Sequence, residues 1–111
     1  FISRYGGDEF VIIMIDTNAS EGKRVYNRLY ECLRQHEYFL PQIKALLKRD
    51  DIDVPENRRL GFSMGISTNQ DVEKCDDIDL VVQNADKALY YTKNNSKGSV
   101  SVWAEIKDMV K

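Results

Sequence analysis

Cysteine, histidine, proline and long apolar runs are all scarce in this chain of 111 residues. Its two cysteines, Cys32 and Cys75, have neither the close pairing of a thiolate metal site nor the number that a disulfide framework needs. That excludes a stapled secreted scaffold and predicts free thiols, buried or half-buried, in a reducing compartment. The single histidine, His36, has no acid or nucleophile at a telling spacing. It is expected at the surface or at a helix end, outside any catalysis. The longest apolar run, Phe10 to Ile15, falls far short of the roughly 20 residues that span a bilayer. No signal-peptide pattern is visible, and no membrane contact by this segment is expected. An excess of one charge is lacking too. A net charge of −2 with 31% charged residues gives no basic field to steer nucleic acid, which is not an expected partner. Internal repeats, low-complexity tracts and an interdomain linker are absent.

At this length the chain is one domain or less, with little core to spare. Residues 1–4 and 9–15 read as two strands joined by Gly6-Gly7-Asp8, a hairpin pattern. The second of these is apolar on both faces, which predicts a central, covered strand. Asn18 with Glu21 three residues on reads as a capping box opening a helix over 19–36. Val25, Leu29 and Leu33 form its stripe, with Tyr26 and Tyr30 alongside. Pro41 suits the first turn of a second helix with Leu40, Ile43, Leu46 and Leu47 on its apolar face. A polar loop follows to about residue 57.

Residues 58–67 read as a strand again, with Leu60, Phe62, Met64 and Ile66 alternating with Gly61, Ser63, Gly65 and Ser67. The small side chains line one face and let a helix or ligand come close. Asp76 or Asp77 caps a long helix to about Lys93, with Ile78, Val81, Val82, Ala85, Ala88, Leu89 and Thr92 facing in. Ser99 to Trp103 reads as a short strand that Trp103 covers at the edge, and residues 104–111 as a short helix. Tyr26, Tyr30, Tyr90 and Tyr91 read as packing residues rather than a base-stacking platform. Strands alternating with helices, plus the hairpin, predict an α/β fold of the α+β sandwich kind, with helices packed on a mixed sheet.

The chemistry concentrates at Arg4-Tyr5-Gly6-Gly7-Asp8-Glu9-Phe10. A flexible turn carries adjacent carboxylates onto the start of an apolar strand. Such a turn suits a site where backbone approaches phosphate and acid holds a metal. Gly6-Gly7-Asp8-Glu9-Phe10 resembles the pentapeptide of the GGDEF domains, the diguanylate cyclases. Ser63-Met64-Gly65-Ile66-Ser67 is similar to that family's Ser-Ile-Gly-Val strand, and Ala85-Asp86-Lys87-Ala88-Leu89-Tyr90 to its Ala-Asp-x-Ala-Leu-Tyr helix. The blocks occur in the family's order from Arg4 to about Val102.

The resemblance implies a palm-like nucleotidyl-cyclase sheet and the condensation of two GTP into cyclic di-GMP. Each 3′-hydroxyl attacks the α-phosphorus of the other GTP and expels pyrophosphate, a displacement that gains most from positioning and charge neutralisation. It implies Mg²⁺ or Mn²⁺ as cofactor, held by Asp8 and Glu9, which also serve as the catalytic acids. It implies substrate binding by Gly6, Gly7, Lys93 and Lys97, with Lys93 on the β/γ-phosphates. Arg28 falls where many members place an arginine of the inhibitory product site. A catalytic homodimer, a cytoplasmic location and an upstream sensor or receiver domain, which can itself carry a membrane anchor, are implied too.

The chain departs from the family in three ways. The segment between Arg28 and Leu60 looks longer than usual, with a helical insertion at about 37–57. Ser96-Lys97-Gly98 stands where the family has Gly-Arg-Asn, keeping a positive charge but losing the planar fork. The family's upstream half, with its metal Asp and guanine-reading groups, has no counterpart. Residues 1–111 are therefore expected to be the C-terminal portion of one such domain, inactive alone. The departures also keep a second reading open, a catalytically degenerate module that binds nucleotide or cyclic di-GMP or docks a protein. Plain adenylyl or guanylyl cyclases share the palm-like fold and are a third.

Overall fold

The computed structural model describes residues 1–110. Its strands and helices run β1 (Ile2–Gly6), β2 (Glu9–Ile12), α1 (Ala19–Gln35), α2 (Leu40–Leu47), β3 (Met64–Ile66), α3 (Ile78–Asn95), β4 (Val100–Val102) and α4 (Trp103–Ile106). The expected mixed α/β fold is present, with its hairpin. β1 and β2 are antiparallel, β3 and β4 parallel, and they form two separate two-stranded sheets.

Two glycines bring the helices onto β3. A Cβ on Gly65 would lie 2.3 Å from both the Ala85 carbonyl oxygen and the Leu89 amide nitrogen, so α3 lies backbone against strand. On α1, a Cβ on Gly22 would meet Ile66 Cδ1 at 3.1 Å. The strand is thus held between two helices, the close approach that its small residues predicted. Ala88, Val102 and Ile106 form the buried apolar centre. Beside them, Thr92 is fully buried, with its Oγ1 2.6 Å from Ser101 Oγ and within hydrogen-bond reach of the Ala88 and Met64 carbonyls. Every one of these hydroxyl contacts ties α3 to the β3–β4 sheet or to its own turn.

The local signals behave as their chemistry requires. The Asn18 side chain accepts from the Glu21 amide while Glu21 reaches back to the Asn18 amide, completing the capping box of α1. Asp77 caps α3 through the Leu80 amide, and Pro41 sits in the first turn of α2. His36 caps the C-terminus of α1 and stacks on Phe39.

Several expectations are corrected. The strand predicted over 58–67 is confined to Met64–Ile66. Upstream, the Tyr30 hydroxyl donates to the Phe62 carbonyl (2.7 Å) and accepts from the Phe62 amide (2.9 Å), so that backbone is tied off before it can join a ladder. Tyr26, Tyr30 and Phe62 pack as one aromatic cluster. The covered strand expected over 9–15 is short and open: Phe10, Ile13 and Ile15 are 66%, 51% and 81% exposed. Ile78, Leu29, Tyr90 and the α2 stripe at Ile43, Leu46 and Leu47 are exposed as well. Trp103 begins α4 rather than ending a strand, with the Lys87 ammonium over its ring. Cys32 and Cys75 are free thiols, but both are exposed. The radius of gyration, 16.2 Å, exceeds the ~13 Å of a compact domain this long. The hairpin and α2 account for this, since their close packing is largely with adjacent segments.

Candidate functional site

The paired acids sit where the hairpin turns. Ile2 faces Ile12, Ser3 faces Val11 and Arg4 faces Phe10, after which the register shifts so that Gly6 faces Glu9. The irregularity at Tyr5 is a bulge, which re-aims the side chains beyond it. Gly7 takes φ +50°, a left-handed conformation that favours glycine, and the Arg4 Nε donates to its carbonyl at 3.0 Å. No atom lies within 4 Å of where a Cβ on Gly6 or Gly7 would stand, so the turn's backbone is open to an approaching group.

Strand alternation then sets the face of Glu9. Glu9 and Val11 are half-buried, whereas Phe10 and Ile12 are exposed. Glu9 meets Lys93, with Oε1 3.6 Å from Nζ and side chains 37% and 44% exposed. Asp8, at the tip of the turn, is exposed. Lys93 lies in the last turn of α3, where a cation complements the helix dipole. Lys97 is exposed and forms no ion pair among the described residues; it precedes Gly98, whose φ is +85°. The Gly98 amide donates to Ser63 Oγ and its carbonyl accepts from the Tyr26 hydroxyl, which pins the segment after α3.

Asp8, Glu9, Asp86, Lys93 and Lys97 all line one open hollow of about 2400 Å³ between the hairpin, β3 and α3. Arg28 is exposed on α1 and does not line it. A smaller cleft of about 820 Å³ beside α2 involves Arg34, Tyr38, Lys44 and Arg59 and none of the sequence-predicted site residues.

Among the described residues no group of three or more His, Cys, Asp or Glu converges on one point. At the turn, Asp8 and Glu9 offer hard carboxylate oxygens. Mg²⁺ accepts one or two carboxylates when phosphate oxygens and waters complete its octahedron. The donor set therefore fits such an ion together with a triphosphate, and not as an all-protein cage. No helix among the described residues is long and apolar enough to cross a membrane.

The family profile described as "Diguanylate cyclase, GGDEF domain" matches residues 1–99. The chain belongs to the GGDEF family. Diguanylate cyclase A of Treponema denticola is 29% identical over 101 residues, covering 90% of this chain and 23% of that protein. Diguanylate cyclase DosC of Escherichia coli K12 is 28% identical over 103 residues, covering 93% of this chain and 19% of that protein. The chain thus spans about a fifth of the length of these curated relatives. No solved structure matches it significantly. Within the GGDEF chain, the Glu9–Lys93 contact is what sequence reasoning missed. It predicted both residues but not that they meet, since a contact between residues 84 positions apart leaves no local signal. The bracing of the turn by Arg4, through the Gly7 carbonyl, was missed as well.

Proposed function

We propose that this chain is the C-terminal portion of a diguanylate cyclase domain, which condenses two GTP into cyclic di-GMP and two pyrophosphates. The observation that carries the reading is the convergence of the Gly-Gly-Asp-Glu turn and the end of α3 on one hollow, with Glu9 and Lys93 3.6 Å apart. Acid for a metal and cation for a phosphate then stand side by side on the wall of the same space.

In this reading Asp8 and Glu9 hold Mg²⁺ or Mn²⁺ jointly with the triphosphate. The bound ion supplies Lewis acidity toward phosphoryl oxygen and a lowered pKa at the attacking hydroxyl. Gly6 and Gly7 let the nucleotide lie against open backbone. Lys93 neutralises the β/γ-phosphates, and Lys97 adds a second, exposed cation at the same end. Asp8, at the tip of the turn, accepts the 3′-hydroxyl proton as the new P–O bond forms and the α–β bond breaks. Arg28, away from the hollow, belongs to a product site.

The hollow is larger than the roughly 300–1000 Å³ of an ordinary ligand pocket. Together with the exposed apolar residues of β2, that supports an upstream segment of the same domain sharing the space. Residues 37–57 are a helical insertion. Two such domains face each other in a homodimer, as the twofold symmetry of the product requires. A sensor or receiver domain upstream controls their approach, and the protein works in the cytoplasm.

The test uses the full-length protein incubated with GTP and Mg²⁺, with products resolved by mass. Cyclic di-GMP that disappears in Asp8→Asn is the expected result. An intact, dimeric protein that makes none favours the second reading, a degenerate module that binds nucleotide or docks a partner. The exposed, forkless Lys97 is the observation on that side. Residues 1–111 alone are expected to be inactive, and robust turnover by them would overturn the assignment as a domain portion.

A further inference from the structure

We infer that Glu9 and Lys93 form a latch that withholds Glu9 from a divalent cation until a triphosphate draws the lysine away. The inference rests on the reading of Asp8 and Glu9 as cation-binding acids and of Lys93 as the phosphate contact. It adds an order of events to them.

Three observations carry it. Glu9 Oε1 and Lys93 Nζ are 3.6 Å apart, an ion pair longer than the 2.7–2.9 Å typical of a charge-assisted hydrogen bond. Both side chains are more than a third exposed, so the pair is weak and screened, and it can open. The acids have no third His, Cys, Asp or Glu converging with them among the described residues. A cation approaching without nucleotide thus gains from two carboxylates at most, and one of those is already facing an ammonium. Under those conditions even a weak competitor lowers occupancy.

A triphosphate changes the balance at both ends. Lys93 has a flexible four-carbon stem in the last turn of α3, so it can swing to phosphate without moving the backbone. Glu9 is then released with both oxygens free, and the phosphates supply the oxygens that the protein lacks. Metal and triphosphate affinities must rise together by the same factor.

Mn²⁺ binding to the full-length protein without nucleotide, followed by the electron paramagnetic resonance of the free ion, tests this apart from any turnover. Lys93→Gln, and Lys93→Met with its stem retained, should tighten Mn²⁺ about two- to fivefold, the range set by an exposed ion pair. Lys87→Gln removes the same charge from the same helix, at a residue that lies over Trp103, and should leave the affinity unchanged. Unchanged or weaker binding in both Lys93 variants, or equal tightening in Lys87→Gln, overturns the latch and leaves the cyclase reading standing. Mn²⁺ affinity that is indifferent to Glu9→Gln overturns the latch and the acid assignment together. Tightening in a protein that makes no cyclic di-GMP keeps the latch and removes the cyclase reading.

Discussion

Glu9 on the hairpin and Lys93 at the end of α3 are 84 residues apart in sequence and 3.6 Å apart in space. Their contact joins a hairpin that otherwise packs closely on itself to the body of the molecule. Being exposed, the pair is worth at most about 1 kcal/mol to folding. A lysine that pairs with phosphate is worth more, about 1.5–3 kcal/mol per charged hydrogen bond. Lys93→Ala should therefore shift the urea midpoint only slightly while weakening GTP binding to the full-length protein on the order of 10- to 100-fold. Equal losses of stability and affinity would assign Lys93 to structure alone.

Gly65 and Gly6 make a paired prediction. A methyl group on Gly65 would lie 2.3 Å from backbone atoms of α3, which cannot swing aside. Gly65→Ala should cost about 3 kcal/mol by forcing α3 off the strand. Gly6→Ala meets no atom within 4 Å and should stay within about 0.5 kcal/mol. Urea unfolding of both variants followed by circular dichroism checks the contrast. It also separates a glycine used for packing from one that leaves a turn open.

Alkaline pH should expose Tyr26. Burial first, and the neighbouring Tyr30 second, raise its pKa above the ordinary 10.0, and its hydroxyl donates to the Gly98 carbonyl at 2.6 Å. With the folded value above the unfolded one, the neutral phenol's contribution is present in full below pH 10. It is lost as pH rises through the higher folded value, because the unfolded chain releases its proton first. Tyr26→Phe should lose about 1 kcal/mol at neutral pH and flatten the stability profile above pH 10. A slope as steep as the parent's would show that other groups set it.

Both thiols should be accessible in the native 111-residue chain. Cys32 on α1 and Cys75 before α3 are exposed and unpaired, so Ellman's reagent without denaturant should titrate two equivalents at similar rates. In the full-length protein, Cys75, which lines the large hollow, should react more slowly than Cys32 if an upstream segment occupies that space. Equal rates there would argue for an open hollow in the whole protein.

Much of the architecture was legible because its determinants are local. The Asn18–Glu21 box, Asp77 as cap, Pro41 in a first turn and the small residues around Gly65 each act within one element or its immediate neighbour. The misses share a cause. Phe10, Ile13 and Ile15 were read as covered because apolar side chains require a cover, and a pattern states that requirement without stating whether the cover is present. The strand over 58–63 failed through Tyr30, a side chain 32 residues away. Left-handed φ at Glu37, Tyr38 and Phe39 has no glycine to announce it. At the site, residue types were readable one by one, whereas the meeting of Glu9 with Lys93 across 84 positions was not.

Tyr30 binds both the amide and the carbonyl of Phe62, and β3 begins two residues later. That clasp works as a stop. Whatever lies between Phe39 and Leu60 is looped out upstream of it, and residues added or removed there are absorbed before they reach the sheet. Loop closure grows costly only slowly with length, by about 0.6 kcal/mol per doubling. An arm can therefore lengthen into a helix such as α2 while Gly65 keeps its place against α3 and Lys93 its place opposite the hairpin. The clasp lets one side of the molecule vary while the side that faces the hollow keeps its register.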